Sequence, residues 1–469
     1  MVEKFKDYLK LFLIFNCINI LIILLSNFFY VQRSYFVFEY NLIVIFFLFE
    51  FPFWISALYL CLLVSLDILF FTSSIFYFTW IDLLDASKFV YLHGSGLKFI
   101  IYYVIFIILI LFLYNIATKS IINKVSKKIL VFYLSFTVLF LSLIDIINGS
   151  NFLNQKAAIF KRNFTGSMAV ACYRNYNYQT SSNEVPVNFY VSGDSTVTFK
   201  YFSANNESSR QLVIILESWG FLEDFNYGEM TNYLQKSLNP NYTLTFNTTS
   251  FTGSTTYGEM RELLNSYGSY RYFIDNKSDI KGKISSIFDI KSVNKYNTIA
   301  CHSYSGAMFY RKKWWKNIGI KNVYFSEDIM SENINKSILN NETSFSSVND
   351  EVSYDFISKK SLGNGKVFAY LLTVNTHLPF RYEYNNGTLE GFKLTNDKIS
   401  KGLFSNYSRN VSHQQKRIFQ QIAYFISKIN TYSWDEVLIV GDHPPPFPDI
   451  IDRKLFSQKA VPYFFIKKQ

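Results

Sequence analysis

The 469-residue chain has little cysteine, histidine, proline or glycine, and each shortage excludes something. Four Cys (Cys17, Cys61, Cys172, Cys301) cannot staple a chain of this length, so a disulfide scaffold is ruled out. Nine Pro and 19 Gly rule out collagen-like and low-complexity classes. Charged residues make up 17% and aromatics 19%, the reverse of a disordered chain. The five His (His93, His302, His377, His413, His443) must supply any imidazole chemistry. Phe (49) and Tyr (35) are plentiful, and mean hydropathy is +0.10. A globular protein, a membrane protein or a fusion of the two remains.

The apolar residues are concentrated at the front. Residues 11–30 carry no charge and are long enough to cross a hydrocarbon core of about 30 Å. The tract Phe36–Trp80 is too long for one helix. Glu50 and Pro52 divide it into spans near 37–51 and 54–78. Residues 99–117 and 129–148 complete a predicted set of five. The first apolar stretch is too long for a signal peptide and has further spans behind it, so it is read as retained. Lys4, Lys6, Lys10, Lys119, Lys124, Lys127 and Lys128 then fall on one side, against Arg33, Lys88 and Lys98 on the other. This bias places the N-terminus inside and everything after residue 150 outside. Asp67 and Asp145 lie within or at the edge of spans. An intramembrane acid is a candidate for function; the plainer alternative is that Asp145 sits at the interface and Asp67 pairs locally.

Residues 1–150 hold ten Lys and Arg against eight Asp and Glu, a balance of +2; the whole chain is +11, so residues 151–469 carry +9. A basic outer domain suits anionic headgroups or glycans, not nucleic acid. Three domains are expected: 1–150 in the membrane, 151–205 as a juxtamembrane connector opening with a surface helix at Asn151–Phe164, and 206–469 as a folded extracytoplasmic domain. Short apolar runs at Leu212–Leu216, Thr243–Phe246, Asn297–Cys301, Val323–Phe325, Val367–Val374 and Val437–Val440 read as buried strands. Helical stretches alternate with them, at Thr255–Ser266, Ile284–Ile290 and His413–Ile429. That alternation predicts a mainly parallel sheet covered by helices, with ligands beyond the strands' carboxyl ends.

Four such ends carry reactive residues. Glu217-Ser218 follows the first strand, and a carboxylate there needs a partner or a metal. The turn Thr252-Gly253-Ser254-Thr255-Thr256 opens a helix, where a hydroxyl faces backbone N–H groups suited to an anion, or serves only as an N-cap. A third strand ends in Asn375-Thr376-His377-Leu378-Pro379-Phe380. The fourth ends in Gly441-Asp442-His443 and three prolines. Glu217, a hydroxyl, Asp442 and His443 together form an O, O, O, N ligand set for Mn²⁺ or Zn²⁺.

This order of motifs resembles the alkaline phosphatase superfamily. It looks like the sulfatase-like branch that holds lipoteichoic acid synthase and the periplasmic phosphoglycerol transferases, and more distantly the phosphoethanolamine transferases. The resemblance covers about residues 210–450 in motifs. It implies about five transmembrane helices followed by an α/β/α sandwich of alkaline phosphatase type. It also implies one divalent metal (Mn²⁺ or Zn²⁺, with Mg²⁺ accommodated) on Glu217, Thr255, Asp442 and His443, with Thr255 as nucleophile. Ser254 and Thr256 are rivals if the register slips by one. His377, His302 and Arg311 would hold substrate; Arg311 rests on the looser match FYRKKWW. The cysteine-rich branch that modifies lipid A has extra His ligands and disulfides that this chain lacks. The C/S-x-P-x-R motif of sulfate-ester hydrolases is absent.

The implied activity is transfer of a phospholipid headgroup phosphate, phosphoglycerol or phosphoethanolamine, to an envelope glycan through phospho-Thr255. The donor would be phosphatidylglycerol or phosphatidylethanolamine. The acceptor would be capsule, lipopolysaccharide, teichoic acid or glucan. A metal-dependent phosphodiesterase or phosphatase of the same fold, and a non-catalytic envelope sensor or scaffold, are the alternatives. The bias to Lys, Ile, Asn, Phe and Tyr suggests an AT-rich bacterial genome, hence a bacterial cytoplasmic membrane. His93 and His413 read as solvated surface residues.

Overall fold

The structure, a computed structural model, describes residues 2–28, 33–75, 83, 96–120, 125–147, 165–170, 172–173, 187–188, 196–203, 208–251, 253–267, 269–275, 286–332, 339, 347–363, 365–378, 403–447 and 449–469. The expected helix Asn151–Phe164 lies outside them, as do His93, Thr252, Pro379 and Phe380. The chain forms two compact units, Met1–Tyr178 and Gln179–Gln469.

The first unit is helical: α1 (Val2–Phe28), α2 (Phe53–Ile75), α3 (Gly96–Ser120) and α4 (Lys127–Ile147). Three stretches are long and apolar enough to cross a membrane, Tyr8–Asn27, Phe53–Ser73 and Lys127–Ile144. Two apolar helical stretches are shorter, Glu39–Leu48 and Ile101–Ile116. Leu58, Phe112, Phe132 and Leu139 point outward, as lipid-facing side chains do. The expected span 37–51 is therefore a pair of short helices, Glu39–Leu42 and Val44–Leu48. Ten residues at 1.5 Å each give about 15 Å, half the hydrocarbon core. Glu50, in the left-handed region at φ 55°, and Pro52 after it stop the helix from continuing.

The polar residues around Asp67 satisfy one another. Asp67, almost fully buried, accepts from Arg33 through both carboxylate oxygens (Nε 2.9 Å, Nη2 2.6 Å) and from Tyr40 (3.0 Å). Arg33 also donates to Asn19, which bonds Asn16 and both backbone groups of Val37. Asn16, Asn41 and Tyr133 close the cluster. Asp67 pairs locally, as the plainer expectation had it. Asp145 lies on α4.

The second unit is built on a seven-stranded sheet: β1 (Arg210–Leu216), β2 (Tyr242–Ser250), β3 (Asn297–His302), β4 (Asn322–Tyr324), β5 (Val367–Leu372), β6 (Glu436–Gly441) and β7 (Ala460–Lys468). Their order is β2-β7-β6-β1-β5-β3-β4. β6, β1, β5, β3 and β4 are parallel, and β7 runs against both of its neighbours. β2 therefore points the same way as the parallel set, and its carboxyl end joins theirs. The apolar runs anticipated six strands but not β7. Pro462 lies just past the last β7–β6 pair, Val440 with Tyr463, so it removes no donor from that ladder.

Both faces of the sheet are buried, which explains the continuous apolar runs. On one face α6 (Tyr227–Ser237), α10 (Asp350–Lys360) and α11 (Arg409–Lys428) pack on Leu212, Ile214, Leu216 and Ile439. On the other lie α5 (Val197–Phe202), α7 (Thr255–Leu264), α8 (Ile287–Val293) and α9 (Arg311–Asn317). There Phe202 and Phe288 meet Phe368 edge to face, and Trp315 meets Tyr370 in the same way. α5 falls within the stretch expected as connector, and Phe202 on it is fully buried. This is an α/β/α sandwich. All four cysteines are free.

Candidate active site

Side chains from two strand ends meet the first turn of α7. Glu217 directly follows β1, and the next residue, Ser218, takes a left-handed conformation (φ 54°) that few L-residues adopt without strain. That turn aims the Ser218 N–H at Asp442 Oδ1, 2.7 Å away. The His443 N–H also donates to Oδ1 (2.6 Å). Asp442 Oδ2 is left buried with no hydrogen-bond partner. The backbone can approach this closely because residue 441 is glycine: a Cβ there would lie 2.0 Å from the Trp219 carbonyl oxygen.

α7 begins at Thr255 because Ser254 before it is extended, and all ten of its residues are buried. Thr255 Oγ1 donates to Glu217 Oε2 at 2.9 Å and lies 3.3 Å from His443 Nε2. His443 Nε2 is 3.3 Å from Glu217 Oε1 and 3.5 Å from Asp442 Oδ2. Ser254 and Thr256 bond each other instead (3.3 Å). Of the three hydroxyls, only Thr255 reaches the acids within these bonds.

Glu217, Asp442 and His443 form a group able to hold a metal ion. A tetrahedral site with bonds of about 2.1 Å has ligand-to-ligand edges of about 3.4 Å. The four separations, 2.9 to 3.5 Å, straddle that length. The bare Asp442 Oδ2 is an acceptor waiting for a cation. His443 Nδ1 lies 2.8 Å from the Pro444 carbonyl, which can only accept, so Nδ1 keeps its proton and the neutral ring offers a lone pair at Nε2.

The electrostatics say the same. Burial and the nearby Glu217 push the Asp442 carboxyl above its ordinary range. Burial also works against a charge on Glu217, but the His443 hydrogen bond and the His377 ring hold its carboxyl below the ordinary range. His443 resists charge through burial, yet Asp442 and Glu217 outweigh that and raise it to about 9. Two buried carboxylates thus compete for the proton of one imidazole. A divalent cation relieves all three groups.

The remaining expected residues lie nearby in different states. Burial lowers the pKa of His377, which feels the charges of Glu217 and His443; its Nδ1 bonds the Leu378 carbonyl. His302 is buried and its Nδ1 lies 3.0 Å from the Leu372 carbonyl, leaving Nε2 buried without a partner. Burial and Arg311 lower its pKa to about 3, so the ring is neutral. Arg311 is buried and donates to Glu259 Oε2 through Nε (2.9 Å) and Nη2 (2.7 Å). Trp315 and Tyr370 complete the bonds to Glu259. Glu259 sits one turn after Thr255 on α7, so Arg311 braces that helix. His413 is half-buried on α11.

Several supporting residues were not anticipated. Asp350 accepts from the backbone N–H groups of Val374 and Asn375 and from Gln421. Asn375 in turn binds Asp350 N and Ser347. Gln414 donates to the Ser218 and Thr376 carbonyls. Gln414 and Gln421 are one heptad apart on the apolar side of α11, with Val411 and Ile418. Polar residues on a buried face were the available signal.

A family model described as sulfatase matches residues 210–447, slightly more than half of the chain. No curated protein matches. Among solved structures, the integral membrane lipooligosaccharide phosphoethanolamine transferase A of Neisseria meningitidis is 13% identical; the match covers 92% of this chain and 80% of that one, with a TM-score of 0.50. The lipoteichoic acid synthase LtaP of Listeria monocytogenes is 16% identical over 62% and 71% of the two chains (TM-score 0.40). The phosphoglycerol transferase GacH of Streptococcus pyogenes, solved with sn-glycerol-1-phosphate, is 18% identical over 62% and 72% (TM-score 0.35). With the mixed sheet, the acid and imidazole groups at its strand ends and a family match spanning both, the chain belongs to the sulfatase family.

Proposed function

We propose that this protein transfers a phospholipid headgroup phosphate, phosphoglycerol or phosphoethanolamine, to a glycan of the cell envelope through Thr255. The observation that carries this reading is the single hydroxyl at the N-terminus of α7 within hydrogen-bond distance of Glu217 and His443, beside the bare Asp442 Oδ2. Glu217, Thr255, Asp442 and His443 would hold Mn²⁺ or Zn²⁺. When bound, the ion lowers the pKa of the hydroxyl and stabilises charge on the phosphoryl oxygens.

Thr255 Oγ1 forms a bond to phosphorus as the bond to the diacylglycerol oxygen breaks; diacylglycerol leaves with a proton. The first turn of α7 presents backbone N–H groups to the phosphoryl oxygens. In the second half an acceptor hydroxyl attacks phosphorus as the bond to Thr255 Oγ1 breaks; the acceptor's proton passes by way of the His377 ring to Oγ1, restoring the free hydroxyl. Neutral His302 accepts a hydrogen bond at Nε2, which suits a headgroup hydroxyl or ammonium and not a phosphate oxygen. Arg311 supports substrate from its place against Glu259. The absence of a C/S-x-P-x-R motif argues for phosphoryl over sulfuryl chemistry.

The donor is a membrane lipid, and the chain carries membrane-length helices. Five crossings with an outward catalytic domain fit the helical unit. Glu50 pairs with Lys127 and Phe53 stacks on Tyr114, which gathers residues 50–53, 114 and 127 at one end. Phe36–Val37 pairs with Thr165–Gly166. On this reading the short segment 39–48 would be a thin crossing. The bounds 1–150, 151–205 and 206–469 go with this reading.

The test is incubation of the detergent-solubilised chain with Mn²⁺ or Zn²⁺ and headgroup-labelled phosphatidylglycerol or phosphatidylethanolamine, beside Thr255→Ala. Diacylglycerol release with label trapped on the wild type alone is expected. Equal release by the variant would sink the Thr255 assignment.

A further inference from the structure

Two fully buried charges outside the site hold two of its strand ends together. Arg261 and Glu262 are adjacent on α7, two turns beyond Thr255, and both are inaccessible to solvent. Arg261 Nε donates to Glu262 Oε1 at 2.6 Å. Its Nη1 donates to the Ser250 carbonyl (3.0 Å) and its Nη2 to the Gly441 carbonyl (2.8 Å). Ser250 is the last residue of β2, from which the chain runs into the turn before Thr255. Gly441 is the last residue of β6, directly before Asp442. β7 lies between these strands, so no ladder joins their ends. One guanidinium therefore fixes the strand end leading to the hydroxyl against the strand end leading to the ligands. α7 itself approaches so closely that a Cβ on Gly258 would lie 2.9 Å from the Asp442 Cβ.

The second oxygen of Glu262 extends the bracket. Oε2 accepts from the Thr198 N–H (3.0 Å) and the Thr198 hydroxyl (2.6 Å). Thr198 lies on α5, and the N–H of Thr196 just before it donates to Asn265 Oδ1, the left-handed residue ending α7. Both ends of the last turn of α7 are thus tied to the segment 196–202. Tyr201, stacked 3.8 Å from Phe465, and buried Phe202 fix that segment to the sheet.

We propose that Arg261 and Glu262 are positioning residues for the metal and for Thr255, and that Thr198 makes the docked segment 196–202 a part of the site's framework. The segment that follows the helical unit in sequence then takes part in site assembly, although none of its atoms is needed at the reacting phosphorus. The proposal rests on the metal and Thr255 reading above. A guanidinium suits the task because its fork spans two carbonyls at once, and an ammonium cannot.

The experiment titrates Mn²⁺ into the full detergent-solubilised chain by calorimetry for wild type, Arg261→Lys and Thr198→Val. Melting of the metal-free proteins and kcat and KM for labelled phospholipid are measured alongside. Arg261→Lys is expected to weaken Mn²⁺ binding about tenfold or more and to lower kcat with KM unchanged. Thr198→Val keeps shape and loses only its hydroxyl's bond to Glu262. It is expected to move the same quantities in the same direction by less, and it stands as the test if Arg261→Lys does not fold. Mn²⁺ affinity equal to wild type in Thr198→Val and in any folded Arg261→Lys, with only the melting temperature lowered, overturns the proposal. A wild type that binds neither Mn²⁺ nor Zn²⁺ overturns the metal reading itself, and this inference with it.

Discussion

Both units bury a cluster of charged and amide side chains, and the two clusters are finished differently. Around Asp67 every carboxylate oxygen has a donor: Arg33 takes both and Tyr40 shares one. Around Asp442 one oxygen has two backbone donors and the other has none, and His302 Nε2 is also bare. The residue types barely differ. A closed network stiffens a helical unit, because removing a member leaves a partner stranded. An open one stores unfavourable electrostatics that a ligand can discharge. Burial alone does not mark a site; around Asp442 the unmet oxygen sits beside a second carboxylate and an imidazole.

Substitution of the acids should break this comparison most sharply. Asp442→Asn is expected to abolish measurable Mn²⁺ binding, a loss beyond about 100-fold, and to raise metal-free stability by about 1 kcal/mol, since it removes one of two repelling carboxylates. Calorimetry and thermal melting check the two halves. Asp67→Ala should do the reverse. It leaves Arg33 buried and unpaired and should cost roughly 3–5 kcal/mol, read as loss of folded protein in detergent.

A pH series sharpens the contrast next. The metal-free pKa of His443 lies above its ordinary 6.5, at about 9. The charged form thus adds stability that is fully present below about 6.5 and is lost as pH rises through 9. Metal binding needs the neutral ring, so Mn²⁺ affinity should rise with pH over that window, up to about tenfold per unit. Melting without Mn²⁺ should therefore fall between pH 6.5 and 9, while melting in saturating Mn²⁺ stays level. The smallest effect is expected from Asn16→Leu, where a single amide leaves a network with alternative partners. A cost of about 0.6 kcal/mol is expected, with Mn²⁺ affinity unchanged.

What the sequence made legible follows from locality. LVIIL, VFAYLL and VLIVG read as buried strands because both faces of the sheet are covered, and the ligand rule for strand ends then pointed to Glu217, Thr255, Asp442 and His443. β7 escaped notice because Pro462 and the trailing Lys467-Lys468 obscure an apolar stretch whose pairing is entirely long-range. The thin segment Glu39–Leu48 was legible as apolar but not as half-length, since Phe49 and Phe51 continue the hydropathy past the helix end. Arg261, Glu262 and Asp350 were invisible for another reason. Each bonds backbone groups brought near by the fold, and no spacing announces that.

The place of β7 also dictates an order of events. β2, which leads into the hydroxyl turn, has β7 as its one sheet neighbour among the described residues, and β7 is residues 460–468. During synthesis the strand that delivers Thr255 has no hydrogen-bonding edge to join until more than 200 later residues have been made. Thr255 is among the first parts of the domain to be translated and among the last to be set in place. A chain interrupted before residue 460 carries Glu217, Thr255, Asp442 and His443 but lacks the strand that joins β2 to the sheet.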